Sequence, residues 1–109
     1  MEVIARGTTK RGGVKIQVED WSENYPKIFK REATLAAYPL VVNQTGMPRN
    51  MQCAYRPGFD KMRIVYQFPD AETCDAAFRH LCEGTGEFSD YEQFLDDEYV
   101  QRLGNVELV

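Results

Sequence analysis

The apolar patterning of this chain predicts an α+β fold, a ferredoxin-like β-α-β-β-α-β antiparallel sheet with an additional acidic C-terminal helix. Three observations carry that expectation. Val14-Lys-Ile-Gln-Val-Glu19 alternates with the period of two of a half-buried strand. Met51 to Phe68 reads as two more strands around a turn, and Asp70 to Gly84 holds a full helical stripe between two cap residues.

Taken in order, residues 1–13 hold Arg6, Lys10, Arg11, Gly7, Gly12 and Gly13, and read as a flexible basic arm or a short edge strand at Val3-Ile4. Residues 14–109 read as a single α+β domain. In the first strand Val14, Ile16 and Val18 face inward, and Lys15, Gln17 and Glu19 face out. Asp20 to Asn24 breaks the alternation with N-cap residue types, so a helix is expected from about Pro26 to Ala37. Its apolar positions are Phe29, Ala33, Ala36 and Ala37, and Pro39 ends it. Leu40 to Val42 is a short strand or extended segment, and 43–50 a loop.

Met51 to Tyr55 alternates again, and Pro57-Gly58 fits the centre of a type II turn. The return strand is Met62 to Phe68, with Met62, Ile64, Tyr66 and Phe68 on its inner face. Asp70 then caps a helix running to Glu83, with Cys74, Ala77, Phe78, Leu81 and Cys82 at i, i+3, i+4, i+7 and i+8, and Gly84 as its stop. Ser89 with Glu92 forms a capping box for a further helix to about Leu103, striped by Tyr91, Leu95, Tyr99 and Leu103. Asn105 to Val109 alternates as a last strand.

With 109 residues, 43% apolar, 12% aromatic and 28% charged, the chain has the make-up of one globular domain and not of a disordered segment. Its longest uncharged stretch, Ala33 to Pro48, is interrupted by Asn43, Gln44 and two prolines, so no membrane span is expected. Met-Glu-Val-Ile-Ala-Arg has no basic region followed by an apolar core, and no signal peptide is expected. Cys74 and Cys82 stand eight apart on one helix, about 12 Å, beyond the ~7 Å a disulfide spans. Three thiols packed as small hydrophobes fit a reducing, cytoplasmic setting.

The net charge of −4 is unevenly placed. Residues 1–82 carry 12 Lys and Arg against 9 Asp and Glu, whereas residues 83–109 carry 8 acids against Arg102 alone. Metal chemistry lacks a paired Cys or His spacing, and His80 points about 200° away from Cys82 around its helix. Cys74 and Cys82 sit on the apolar stripe, where a thiolate is disfavoured. Arg11-Gly12-Gly13 and Gly84-Thr85-Gly86 complete no phosphate-binding motif. No catalytic residue, metal or cofactor is expected.

A sheet face displaying Lys15, Gln17, Glu19, Gln52, Ala54, Arg63, Val65 and Gln67 has no aromatic residue on which a nucleic-acid base would stack. The expected function is a non-catalytic protein-binding or regulatory module. In its sharpest form it is an inhibitor that engages a basic, nucleic-acid-binding surface of another protein through the acidic helix. That surface comprises Glu87, Asp90, Tyr91, Glu92, Phe94, Asp96, Asp97, Glu98 and Tyr99. Self-association through the same aromatics is a second form, and a solvated amphipathic face is the plain alternative. The other readings are nucleic-acid binding through Arg6, Lys10, Arg11, Lys15 and Arg63, and a small enzyme of unknown chemistry.

Overall fold

The computed structural model describes residues 1–38 and 64–95. The strands expected at 40–42, 51–55 and 105–109 and the 56–61 turn lie outside these residues. Val3, Ile4 and the alternating Val14–Val18 run build the first hairpin. Its strands are β1 (Glu2–Thr8) and β2 (Lys15–Asp20). The glycines taken for arm flexibility are its turn: Gly12 and Gly13 stand at φ 86° and 62°, where a side chain would be strained. Thr9 closes the loop, its N–H donating to the Val14 carbonyl at 2.8 Å and its Oγ1 accepting from Val14 N–H at 2.9 Å.

The helix expected over 26–37 does not form. Asp20 accepts from the N–H and hydroxyl of Ser22 at 2.8 and 2.6 Å. Single helical turns follow, closed by Tyr25 N–H on the Trp21 carbonyl and Phe29 N–H on that of Tyr25. Glu32 then takes φ 53°, and the chain enters β3 (Thr34–Tyr38). Ala33 through Ala37 are all buried, each at 1% exposure or less. A strand covered on both faces has no alternation to read, and Ala33 just before its start, with Ala36 and Ala37 inside it, mimics a helical spacing.

β4 (Ile64–Gln67) pairs antiparallel with β3, setting Leu35 opposite Tyr66 and Ala37 opposite Ile64. The sheet therefore runs β1-β2-β3-β4, every described pairing antiparallel between consecutive strands. Among the described residues this order is not that of the split βαβ arrangement, because no helix separates β2 from β3. The fold is α+β: one face, bearing Ile16, Val18, Leu35, Ala37, Ile64 and Tyr66, shares a core with α1 (Ala71–Glu83).

That helix starts and stops where the sequence predicts. Asp70 accepts from Thr73 N–H at 2.7 Å, Gly84 closes on the His80 carbonyl at φ 83°, and Cys74, Ala77 and Leu81 are buried. Gly7 lies where α1 presses on β1: a Cβ there would stand 2.6 Å from Cys82 Sγ.

The acidic helix expected to reach Leu103 is instead a short 3₁₀ helix, Phe88–Phe94. Its start lies two residues earlier than the Ser89–Glu92 box implies, where Glu87 N–H donates to Asp90 Oδ2 at 2.8 Å. Leu95 turns extended (ψ 127°) and bridges Tyr66 antiparallel, which ends this helix; Tyr99 and Leu103 lie outside the described residues. Packing decides this outcome. Phe88 stacks on Tyr66 with ring centroids 5.9 Å apart, while Tyr91 and Phe94 close on Phe68 at 6.0 and 4.7 Å. Those contacts hold the segment along β4.

Candidate functional site

Among the described residues, three regions hold side chains able to do more than fill the core. The first is the sheet face away from α1. Alternation along β2 and β3 brings Lys15, Gln17, Glu19, Thr34, Ala36 and Tyr38 to that face, with Val65 and Gln67 beside them on β4. The sequence reading takes it as open, and the structure does not: Glu19, Thr34, Ala36 and Val65 are each 0% exposed.

Glu19 is a buried carboxylate held by donors. Trp21 Nε1 reaches one oxygen at 2.7 Å, the Tyr38 hydroxyl reaches the other at 2.7 Å, and Gln17 Nε2 also donates to it. Arg6 Nε extends the chain outward to Gln17 Oε1 at 3.4 Å. Beside Glu19 on β3, Thr34 Oγ1 is buried and makes no hydrogen bond among the described residues. Trp21 also joins Tyr25 and Phe29 in an aromatic trio with centroids 6.0–6.1 Å apart. Chemically the carboxylate is a satisfied polar pin between β2 and β3, consistent with the rule that buried charges keep their hydrogen bonds. The sequence reading missed it. Its only local signal is Trp21 two residues after Glu19, a ring able to donate back to the strand.

The second region is the outer side of the first hairpin. Exposure along β1 alternates, with Glu2, Ile4, Arg6 and Thr8 open and Val3, Ala5 and Gly7 half-buried. Ile4 is 38% exposed, one of the few large apolar side chains left to solvent among the described residues. Thr9 turns its N–H toward β2, so Thr8 and, two residues back, Arg6 turn their backbone groups away from the sheet. The Thr8 backbone hydrogen bonds the Cys82 thiol, and among the described residues no strand pairs with this edge. The register slips between Val3 and Ala5, a β-bulge.

The basic residues expected to bind phosphate are thus ordered, not a flexible arm. Arg6 and Lys15 share a sheet face, and Lys10 and Arg11 sit in the turn, all four exposed. Arg11 forms an ion pair with Glu87. Arg63 lies outside the described residues.

The third region is the acidic segment. Glu87 is engaged by Arg11, Asp90 caps the 3₁₀ helix, and Tyr91 and Phe94 are drawn half into the core, leaving Glu92 as an exposed acid. Asp96, Asp97, Glu98 and Tyr99 lie outside the described residues. A shallow depression lined by Thr9, Arg11, Leu81, Gly86, Glu87 and Phe88 joins the turn to this segment.

Cys74 and Cys82 are unpaired thiols. Burial, with Asp75 adding to it, pushes the Cys74 thiol up to about 12, and burial also raises that of Cys82 against the Thr8 hydrogen bond. Neither is poised as a nucleophile. His80 Nδ1 lies 2.6 Å from Thr85 Oγ1 at the exposed end of α1. Among the described residues no cluster of three His, Cys, Asp or Glu could hold a metal ion, and no helix is long and apolar enough to cross a membrane. No protein-family model matches the chain, and neither the curated proteins nor the solved structures contain a match.

Proposed function

We propose that this chain is a non-catalytic protein-binding module that takes an extended segment along the outer edge of β1. One observation carries the reading. A seven-residue strand ends the described sheet with outward backbone groups at Arg6, and it displays Glu2, Ile4 and Arg6 to solvent. An added strand would gain main-chain hydrogen bonds there, with the alternate exposed side chains setting preference. This moves the binding surface from the acidic segment to the opposite side of the sheet. The inhibitor form keeps less support, since Glu87, Asp90, Tyr91 and Phe94 are engaged locally. Nucleic-acid binding is the second reading, favoured by the exposed Arg6, Lys10 and Lys15 on one hairpin. The unpaired thiols support a reducing, cytoplasmic setting.

The test uses the outward amide of Arg6. Proline is tolerated on an edge strand where the N–H faces away from the ladder, so Arg6→Pro deletes the docking donor and leaves the sheet. Random displayed heptapeptides are selected against the full chain and against Arg6→Pro, with Arg6→Ala as the control for charge. Peptides of alternating pattern retained by the wild type and Arg6→Ala but lost with Arg6→Pro support strand addition. Equal selection by all three overturns it. A single-stranded oligonucleotide retained in place of any peptide, and released by Lys10→Ala with Lys15→Ala, moves the site to the basic turn.

A further inference from the structure

The side chains beside this edge fix the chemistry of the segment that fits it. We propose that the β1 edge takes an acidic extended segment, with two carboxylates one residue apart lying beside Arg6 and Thr8 and held by Arg6 and Lys15. The inference rests on the edge-docking reading and names its partner.

Charge along the hairpin is one-sided. From Val3 to Val18 the chain carries Arg6, Lys10, Arg11 and Lys15 and no Asp or Glu. Register assigns the strand residues to a face. Arg6 stands opposite Gln17 and Thr8 opposite Lys15, and directly opposed residues share a face, so all four lie on the side away from α1. The acids at this end of the sheet do not neutralise them. Glu2 lies beyond the bulge, where it pairs with Asp20 on the other face, and Glu19 is buried among its own donors. Arg11 is ion-paired with Glu87, whereas Arg6 and Lys15 are exposed and pair with no acid among the described residues. Arg6 lends only Nε to Gln17, at 3.4 Å.

Backbone groups set where the segment lies. The Thr8 backbone is held by the Cys82 thiol and Lys10 N–H donates to the Leu81 carbonyl at 3.1 Å, so α1 closes one end of the edge. At the other end the bulge between Val3 and Ala5 changes which residues point outward. The open ladder is therefore short and centred on Arg6, and side chains must supply the selection. An antiparallel segment, paired as every described strand here is paired, sets one residue opposite Arg6 with its side chain on the same face. Its neighbour two residues along stands opposite Thr8. Lys15 is one strand further in, about 10 Å from that neighbour, and only the short Thr8 side chain lies between them. Two carboxylates at these positions meet a guanidinium and an ammonium. Contact over so few residues makes a weak, salt-sensitive complex.

The probes are two synthetic heptapeptides of alternating pattern that carry either glutamate or lysine at their third and fifth positions. Each is titrated with the full chain up to about 1 mM. Wild type is expected to bind the glutamate peptide about tenfold or more tighter than the lysine peptide. Arg6→Ala and Lys15→Ala should each weaken the glutamate peptide about two- to fivefold. The double variant Arg6→Glu, Lys15→Glu should reverse the preference, and Arg6→Pro should weaken both peptides. Equal binding of the two peptides, or a preference unchanged in the double variant, overturns the acidic partner. If both peptides are nonetheless lost with Arg6→Pro, the edge-docking reading stands without it. A glutamate peptide held equally by wild type and Arg6→Pro overturns both. A single-stranded oligonucleotide that displaces the glutamate peptide and is unaffected by Arg6→Pro also overturns the acidic partner, since the bases then serve a nucleic acid. A chain that binds neither peptide overturns it too, and the displayed selection then decides whether the edge docks anything.

Discussion

β1 and β4 occupy opposite ends of the described sheet and end it in different ways. β4 is buried on both faces, with Ile64, Val65 and Tyr66 at 0% exposure, and Leu95 bridges to its outer side. A run of aromatics only 20 to 30 residues further along supplies that cover, Phe88 on Tyr66 and Tyr91 with Phe94 on Phe68. β1 alternates exposed and half-buried side chains, and α1 packs on it through Phe78 and Cys82 at Gly7. The difference teaches where this sequence spends its large apolar groups. One edge is sealed by local aromatics, and the other keeps a bulge and a charged, short-chain surface, the usual ways of keeping an open edge from sticking at random.

The comparison breaks most severely at Phe88, which is 2% exposed and stacks on Tyr66. Phe88→Ala is expected to lose about 3–5 kcal/mol in chemical denaturation, as buried aromatic truncations do. It should also speed amide exchange at Tyr66 and Leu95 while leaving β1 unchanged. A loss below about 1 kcal/mol would mean that the β4 edge is held by something other than this clamp.

The next largest effect lies between the two edges, at Glu19. Removing its carboxylate leaves Trp21 Nε1, the Tyr38 hydroxyl and Gln17 Nε2 without the acceptor they share. Glu19→Ala is expected to cost about 2–4 kcal/mol, chiefly the desolvation of those donors. Glu19→Gln, which keeps an acceptor oxygen and the side-chain volume, should cost less than half as much. Equal losses in the two variants would show that volume, not hydrogen bonding, is what Glu19 contributes. Because β2 is the strand β1 leans on, the Ala variant should also loosen the hairpin that presents the open edge.

How much of this was legible in the sequence follows from which signals are local. α1 was readable to the residue at both ends, because Asp70, the 3.6-residue stripe and Gly84 act within one helix. The inward side of β2 was readable because burial alternates from Lys15, which is exposed, to Ile16 and Val18, which are buried. β3 was not, since Thr34 through Ala37 are all buried and a strand covered on both faces carries no period of two. Glu19 follows from the same cause. Alternation assigns it correctly to the face away from α1, but whether that face is wet is decided by tertiary cover. The 3₁₀ segment shows a third kind of miss: a helical stripe was present, and aromatic packing on β4 overrode it. The hairpin of β1 was there to be read in Gly12-Gly13, two residues suited to the positive φ they adopt.

The smallest effect joins the two regions. Arg11, in the turn of the open-edge hairpin, pairs with Glu87, the residue that starts the aromatic clamp over β4. Both side chains are substantially exposed, at 65% and 45%, so water and salt compete for the pair. A double-mutant cycle of Arg11→Ala and Glu87→Ala is therefore expected to give a coupling of about 0.2–1 kcal/mol. The coupling should fall toward zero near 1 M salt, where screening acts over about 3 Å. Backbone contacts already tie the turn to the helix end, Lys10 N–H donating to the Leu81 carbonyl at 3.1 Å, so losing the ion pair should not separate them. A coupling above about 2 kcal/mol that survives salt would place the pair in a desolvated setting. The two edges would then be one cooperative unit, and a strand docking on β1 would be felt at Phe88.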